Sequence, residues 1–411
     1  MINPPANYRT PSAERGDQLQ PIDMKRMRMY RLNRVRAELA SRDYGGCVLF
    51  DPINIRYATG TRNMMIWTQH SPDRFVFVAT AGPVVLFERE WVSEGTGRLE
   101  TVDEYRPSMP WYYESAGPRV GEVADEWAEQ ISELLRSHSG RNRRLAIDRI
   151  SPAGIGPLQG RGIELFEAQE PMEQARSIKC REEIDCMSIS IATLEGGIHE
   201  MKESLRPGVS ENELWSIMHR AAIRGGGEWA ETRLLSSGGR TNPWFQECSD
   251  KRIRAGELVA FDTDFVGPFG YCCDISRTFF CPPGRPSSKQ RDLYQRAYEQ
   301  VQYNLSLLKP GRSFREIAHL AWKVPDGYYR DRFGPFHGIG LVDEYPDIAE
   351  AADWDIKGYD GVIQENMTLC VESYMGKPGG DEGVKLEEQV VITKSGFEML
   401  SAYPFEEALL T

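Results

Sequence analysis

The chain has 411 residues, 40% apolar and 10% aromatic, enough to fill the cores of two domains, or of one large domain and a smaller one. A formal net charge of −12 argues against a nucleic-acid partner, whose phosphates would repel such a surface. No run approaches the roughly 18 consecutive apolar residues of a membrane span, and no basic segment leads into an apolar one at the N-terminus, so neither membrane nor signal peptide is expected.

Residues 1–22 are Pro-rich and polar and read as an extended arm, suited to wrapping a partner subunit. Helical spacing predicts a helix over 24–40. Short strand-like runs follow at 47–50, 74–78 and 84–87, then a helix over about 121–136 and a strand at 144–148. Strands alternating with helices predict an α/β domain over 23–172. Within 173–411 an internal repeat stands out: Leu205-Arg-Pro-Gly-Val-Ser-Glu-Asn-Glu-Leu214 matches Leu308-Lys-Pro-Gly-Arg-Ser-Phe-Arg-Glu-Ile317. In each copy Pro-Gly stops one helix and Ser210 or Ser313 caps the next, with Glu213 or Glu316 completing a capping box. Two equivalent halves are therefore expected. The eight cysteines form no Cys-x-x-Cys pair and read as reduced, mostly buried thiols of a cytoplasmic protein.

Chemistry concentrates in three later segments. Residues 258–266 read as one strand, 267–270 as a turn and 271–280 as the return strand. Asp262 and Asp264, two apart, share a face. Asp274 faces them only across a loop of odd length or a bulge, which Gly267 and Gly270 permit. His337 lies in Gly334-Pro-Phe-His-Gly-Ile-Gly340, where glycines allow close backbone approach. Glu372 ends the apolar run 369–371, and Glu387 leads into 388–392. Carboxylates at the tips of apolar strands are costly to bury unless a cation holds them. Four or five of them with one imidazole make the ligand set of a two-metal site. Such an oxygen-rich set suits iron, with zinc or manganese as alternatives. Of the adjacent Cys272 and Cys273, at most one could add a thiolate, because neighbours on a strand point to opposite faces.

The order of these segments resembles the creatinase, aminopeptidase P and methionine aminopeptidase superfamily. Its pattern runs Asp, a second Asp, His in His-Gly-x-Gly, Glu after a strand, and Glu in Gly-x-Lys/Arg-x-Glu. Here these are the Asp262/Asp264 pair, Asp274, His337, Glu372, and Glu387 in Gly383-Val-Lys-Leu-Glu387. Pro207-Gly-Val-Ser-Glu-Asn-Glu213 and Asn54-Ile-Arg-Tyr-Ala-Thr-Gly60 are similar to superfamily segments as well. The resemblance implies an α+β chain of two domains: an N-terminal creatinase-like α/β domain, 23–172, and a C-terminal pita-bread catalytic domain, 173–411, with pseudo-two-fold halves. It also implies two divalent metal ions per chain, held by Asp262 and/or Asp264, Asp274, His337, Glu372 and Glu387, and a homodimer.

The departures from the peptidase pattern matter as much. Thr263 holds the place of the first Asp, with acids on both sides. The peptidases carry a substrate-contacting histidine where this chain has Asn242-Pro-Trp-Phe-Gln-Glu247, and another after the metal histidine where it has Val342-Asp-Glu-Tyr345. A metal cage without those histidines resembles the DddP-type dimethylsulfoniopropionate lyases, which release dimethyl sulfide and acrylate from a small sulfonium carboxylate. β-Elimination needs a base and no attacking water, and Asp343, just past His337, is placed to serve. A sulfonium is a diffuse cation that aromatic faces bind, and Trp67, Tyr112, Tyr113 and Trp244 are candidates. The alternative is a Xaa-Pro aminopeptidase or prolidase-like hydrolase.

Overall fold

The computed structural model describes residues 22–89, 99–330 and 334–411. The expected arm lies, apart from Ile22, outside them. The chain divides into two compact units, Asp23–Arg176 and Ser177–Thr411.

The N-terminal unit comprises α1 (Met24–Ser41), β1 (Gly46–Leu49), α2 (Pro52–Thr59), β2 (Phe75–Ala79), β3 (Val84–Glu88), β4 (Glu104–Pro107), α3 (Val120–Ser139), β5 (Arg144–Ile147) and β6 (Glu164–Glu167), with shorter helical pieces between them. Its strands form one mixed sheet in the order β4-β3-β2-β1-β5-β6. Strands β1, β2 and β3 are buried along their whole length, so both faces need cover. Helix α3 supplies part of it. Its Ala124, Trp127, Ala128, Ile131 and Leu135 recur at helical spacing and join one core with Phe50, Phe75, Phe77 and Val85. The superfamily-like segment 54–60 is helix α2. Asp51 caps its start by accepting from the Ile53 and Asn54 N–H groups, and Gly60 ends it in the left-handed region at φ 76°.

In the C-terminal unit the repeat is structural. Helices α4 (Arg181–Ser204) and α5 (Glu211–Arg224) flank its first copy, α6 (Ser288–Ser306) and α7 (Phe314–Leu320) its second. Both capping boxes form, Ser210 with Glu213 and Ser313 with Glu316. Each turn is also tied to a later segment in the same way. Gly208 and Gly311 donate to the carbonyls of Ile253 and Ile363 at 2.8 Å, and those isoleucines donate back to Val209 and Arg312 at 2.9 Å. Asp262 and Glu372 stand the same number of residues beyond Ile253 and Ile363, so the duplication carries a carboxylate in each half.

The strands of this unit are β7 (Leu235–Ser237), β8 (Leu258–Phe261), β9 (Phe265–Val266), β10 (Cys272–Cys273), β11 (Arg277–Phe280), β12 (Phe336–Ile339), β13 (Asp343–Ile348), β14 (Thr368–Met375), β15 (Val384–Ile392) and β16 (Phe397–Met399). One sheet runs β11-β8-β7 and another β13-β12-β14-β15-β16, while β9 pairs with β10 on one side and with Trp229–Ala230 on the other. Strands β14 and β15 are buried throughout. Tyr294, Ala297, Val301 and Leu305 of α6 share a core with their Leu369, Val371, Leu386 and Val390. Arg277 is fully buried. It links β11 to β15 by donating to the Glu387 carbonyl and the Glu388 carboxylate, each at 2.7 Å.

Candidate metal centre

Residues 258–266 are not one continuous strand. The ladder breaks on both arms of the hairpin, at 262–264 and at 274–276. The pairs Phe265–Cys273 and Phe261–Arg277 on either side keep one register. Carried through the gap, that register sets Asp264 opposite Asp274 and Asp262 opposite Ser276, as the five-residue connection 267–271 requires. Side chains replace the missing backbone bonds. The Thr263 hydroxyl donates to the Cys273 carbonyl at 3.0 Å and accepts from the Ile275 N–H at 2.9 Å. Asp264 takes a φ of +36°, a region aspartate tolerates better than most residues, and accepts from the Thr232 hydroxyl at 2.9 Å. A break of this kind frees carboxylates to converge instead of alternating.

The second sheet supplies the rest. Glu372 on β14 lies directly across from Glu387 on β15, and His337 on β12 pairs with Cys370 on β14. Like charges opposite one another destabilise a sheet unless a cation stands between them. His337 Nε2 lies 3.2 Å from Glu387 Oε1 and 3.8 Å from both Asp274 Oδ2 and Glu372 Oε1. The Ser276 hydroxyl sits 2.7 Å from Asp262 Oδ1 and 2.8 Å from Glu387 Oε2. It joins the two sheets at the site, donating its proton to one carboxylate at a time. Two overlapping sets result, each with its donor atoms within 4.8 Å of one another: Asp274, His337, Cys370 and Glu387, and Asp262, Asp264 and Asp274. Asp274 belongs to both.

Among the described residues, five carboxylates share this space with one imidazole and one ammonium. Burial, together with the neighbouring Asp262 and Asp343 charges, holds the Asp264 carboxyl well above its ordinary value. Burial and the charges of Asp264 and Glu387 do the same for Asp274. Burial alone would lower the His337 pKa, but Asp343, Glu387 and Glu372 outweigh it and push it well up. Glu387 is the exception: Lys385 and His337 outweigh its burial and pull it below the usual range. Asp274 Oδ1 is buried and has no hydrogen-bond partner among the described residues. An excess of buried negative charge, an orphaned carboxylate oxygen and a hard-oxygen donor set with one imidazole all fit divalent cations. Asp262, Asp264, Asp274, His337, Glu372 and Glu387 would hold them.

Two members of the cluster escape a reading made for acids. Lys385 sits inside the Gly-x-Lys-x-Glu motif. Its ammonium contacts Glu372 Oε2 and lies 3.3 Å from both Asp262 Oδ2 and Glu387 Oε2. Strand alternation places Lys385 and Glu387 on one face, so the signal was present in the sequence. Cys370, two residues before Glu372, is the thiol in the cluster rather than Cys272 or Cys273. Burial and the charges of Glu387 and Asp274 push its pKa well up.

Asp343 stands at the mouth of the site. Its Oδ1 is 3.7 Å from His337 Nδ1, and its side chain is 55% exposed. Trp244 is buried against Ala260 and Tyr374, each two residues along a strand from Asp262 and Glu372, which brings it beside the cage. Trp67, Tyr112 and Tyr113 belong to the N-terminal unit. There Trp67 lies under Arg89, with Cζ 5.9 Å from the ring centre. Tyr113 is exposed, and Tyr112 lines a cavity of about 280 Å³ with Phe50, Trp111, His70 and Arg149.

Residues 185–394 match Metallopeptidase family M24. The chain is 37% identical to the dimethylsulfoniopropionate lyase DddP of Roseovarius nubinhibens over 398 residues, 94% of this chain and 88% of that one. It is 36% identical to the protein of the same name from Roseobacter denitrificans, with the same coverage. A solved Xaa-Pro dipeptidase from Bacillus anthracis shares the fold, with a TM-score of 0.73 at 21% identity over 92% of this chain and 98% of that one. The acid cage identifies the kind of site and the peptidase structure the fold, and the agreement along nearly the full length decides the family: the chain belongs to the DddP dimethylsulfoniopropionate lyases, within Metallopeptidase family M24.

Proposed function

We propose that the chain cleaves dimethylsulfoniopropionate to dimethyl sulfide and acrylate. It would act in the cytoplasm as a homodimer carrying two divalent metal ions per chain, iron foremost. One observation carries this reading. The cage is complete, yet a solvent-reached aspartate, Asp343, stands beside its histidine where the hydrolases place a proton-transfer histidine. Bound cations would supply Lewis acidity toward the substrate carboxylate, acidifying the neighbouring carbon.

The chain's own groups supply the remainder. The Asp343 carboxylate accepts the proton on the carbon next to the substrate carboxylate. The C–H electron pair becomes the new double bond, the carbon–sulfur bond breaks, and the sulfide leaves neutral with the bonding pair. No water is consumed, so a missing hydrolytic histidine is no loss. Asp343 is made competent by its position rather than by intrinsic basicity. Trp244, packed against neighbours of Asp262 and Glu372, is the aromatic proposed to face the sulfonium. Such contacts are worth about 0.5–2 kcal/mol per ring. Headspace measurement of dimethyl sulfide from metal-loaded protein, run beside a Xaa-Pro dipeptide assay, tests the reading. Dipeptide hydrolysis without dimethyl sulfide would replace it with the hydrolase alternative.

A further inference from the structure

Along β13, Asp343 is exposed and Glu344 buried, so the two leave opposite faces of the strand. Asp343 turns toward His337. Glu344 turns inward to the ammonium of Lys179, and the two side chains are 1% and 2% exposed. A lone carboxylate at that depth would be strongly disfavoured, and the Lys179 ammonium supplies compensating charge. Neither residue belongs to the metal cage. Lys179 is itself anchored: its N–H donates to the Asn366 carbonyl at 3.0 Å, and the Asn366 N–H to the Ile392 carbonyl at 2.9 Å, where β14 begins and β15 ends. The turn between β12 and β13 is shaped around the same carboxylate. A Cβ on Gly340 would lie 2.4 Å from Glu344 Oε1, so glycine leaves the carboxylate its place. Gly340 also donates to the Val342 carbonyl at 3.0 Å and accepts from the Cys272 N–H at 2.7 Å, which fastens the turn to the hairpin bearing Asp274.

We propose that the buried Lys179–Glu344 ion pair is a positioning device that fixes the rotation of β13 and so aims the Asp343 carboxylate into the site. The kinetic consequence rests on the lyase reading; the structural one does not. The test uses the full-length, metal-loaded protein as Lys179→Met, Glu344→Gln, the double variant and Lys179→Arg. The double variant removes both charges of the pair together, a milder change to the fold than removing either alone.

In the double variant kcat falls about 10-fold or more while KM stays within about 3-fold, and metal content is unchanged. The primary isotope effect with substrate deuterated next to the carboxylate rises, because proton abstraction becomes slower relative to other steps. Lys179→Arg recovers part of kcat. Hydrogen exchange quickens at amides 340–348 and not at 258–266. Should the parent release no dimethyl sulfide, the lyase reading fails, and exchange alone decides for or against the pair. Unchanged kcat in an active parent, a loss of kcat that merely follows lost metal, or unchanged exchange at 340–348 would each overturn the proposal.

Discussion

Replacing Lys385 with Met removes the one ammonium that stands among Asp262, Glu372 and Glu387. Breaking a buried ion pair costs about 3–5 kcal/mol, because the partner charges are stranded. Bound metal ions would take over much of that neutralisation. The metal-free variant is therefore expected to lose far more stability than the metal-loaded one, and unfolding curves with and without a chelator measure the difference. Equal losses would mean that Lys385 does not balance the cage. Asp343→Asn makes the opposite separation. It keeps shape and metal while elimination slows about 100-fold or more; a rate within a few-fold of the parent would move the base elsewhere, with Tyr329, which packs against the Trp244 and Tyr374 cluster, next to be examined. Asp262 and His337 were legible in the sequence because a strand end and a glycine motif mark them locally, whereas Glu372 and Glu387 lie inside β14 and β15 and not at the strand tips where the sequence set them. Lys385 was hidden by its ordinariness: a lysine on a strand reads as solvated until Asp262, far away in the chain, is seen beside it.

Secondary-structure elements were read more easily than their interruptions. Helix α3 and strands β1 to β3 repeat with periods a short window detects, and they form within a few residues of the expected bounds. The break at 262–264 did not show, because its flanking Phe261, Phe265 and Val266 look like continuous strand. It depends on the Thr263 hydroxyl bridging to the other arm of the hairpin. Since Asp274 belongs to both donor sets, Asp274→Ala is expected to abolish stable metal loading, measured by elemental analysis of the purified protein. Retained metal and activity would remove the hairpin from the site. In the N-terminal unit, Asp148 follows β5 and accepts from the Phe50 and Asp51 N–H groups and from Asn54. Burial nonetheless pushes its carboxyl from 3.8 up to about 6. The folded state therefore holds this proton more tightly than the unfolded one, so stability is highest below the unfolded value and falls as pH rises through that window. The full drop is at most about 3 kcal/mol, and less to the extent that solvent reaches this half-buried residue. Asp148→Asn should flatten that part of the stability profile in urea titrations at stepped pH; an unchanged slope would assign it to another group.

At the scale of the whole chain, duplication explains why the site lies where it does. Two copies of one helix–turn–helix unit, each tied to the segment that leads to an acid, Asp262 just after β8 and Glu372 within β14, bring carboxylates from both halves to one place, and the hairpin and His337 complete the set. The repeat was visible in sequence because its capping boxes are short and local. The ion pair between Lys179 and Glu344 was not, because its partners are 165 positions apart. The proposed homodimer is checked by light scattering at micromolar concentration, where a monomer mass with full activity would contradict it. The decisive measurement remains the headspace assay on the iron-loaded protein. Release of dimethyl sulfide with one equivalent of acrylate, lost in Asp343→Asn although its metal is retained, is the expected result. No dimethyl sulfide from fully metal-loaded protein that hydrolyses a Xaa-Pro dipeptide would contradict it.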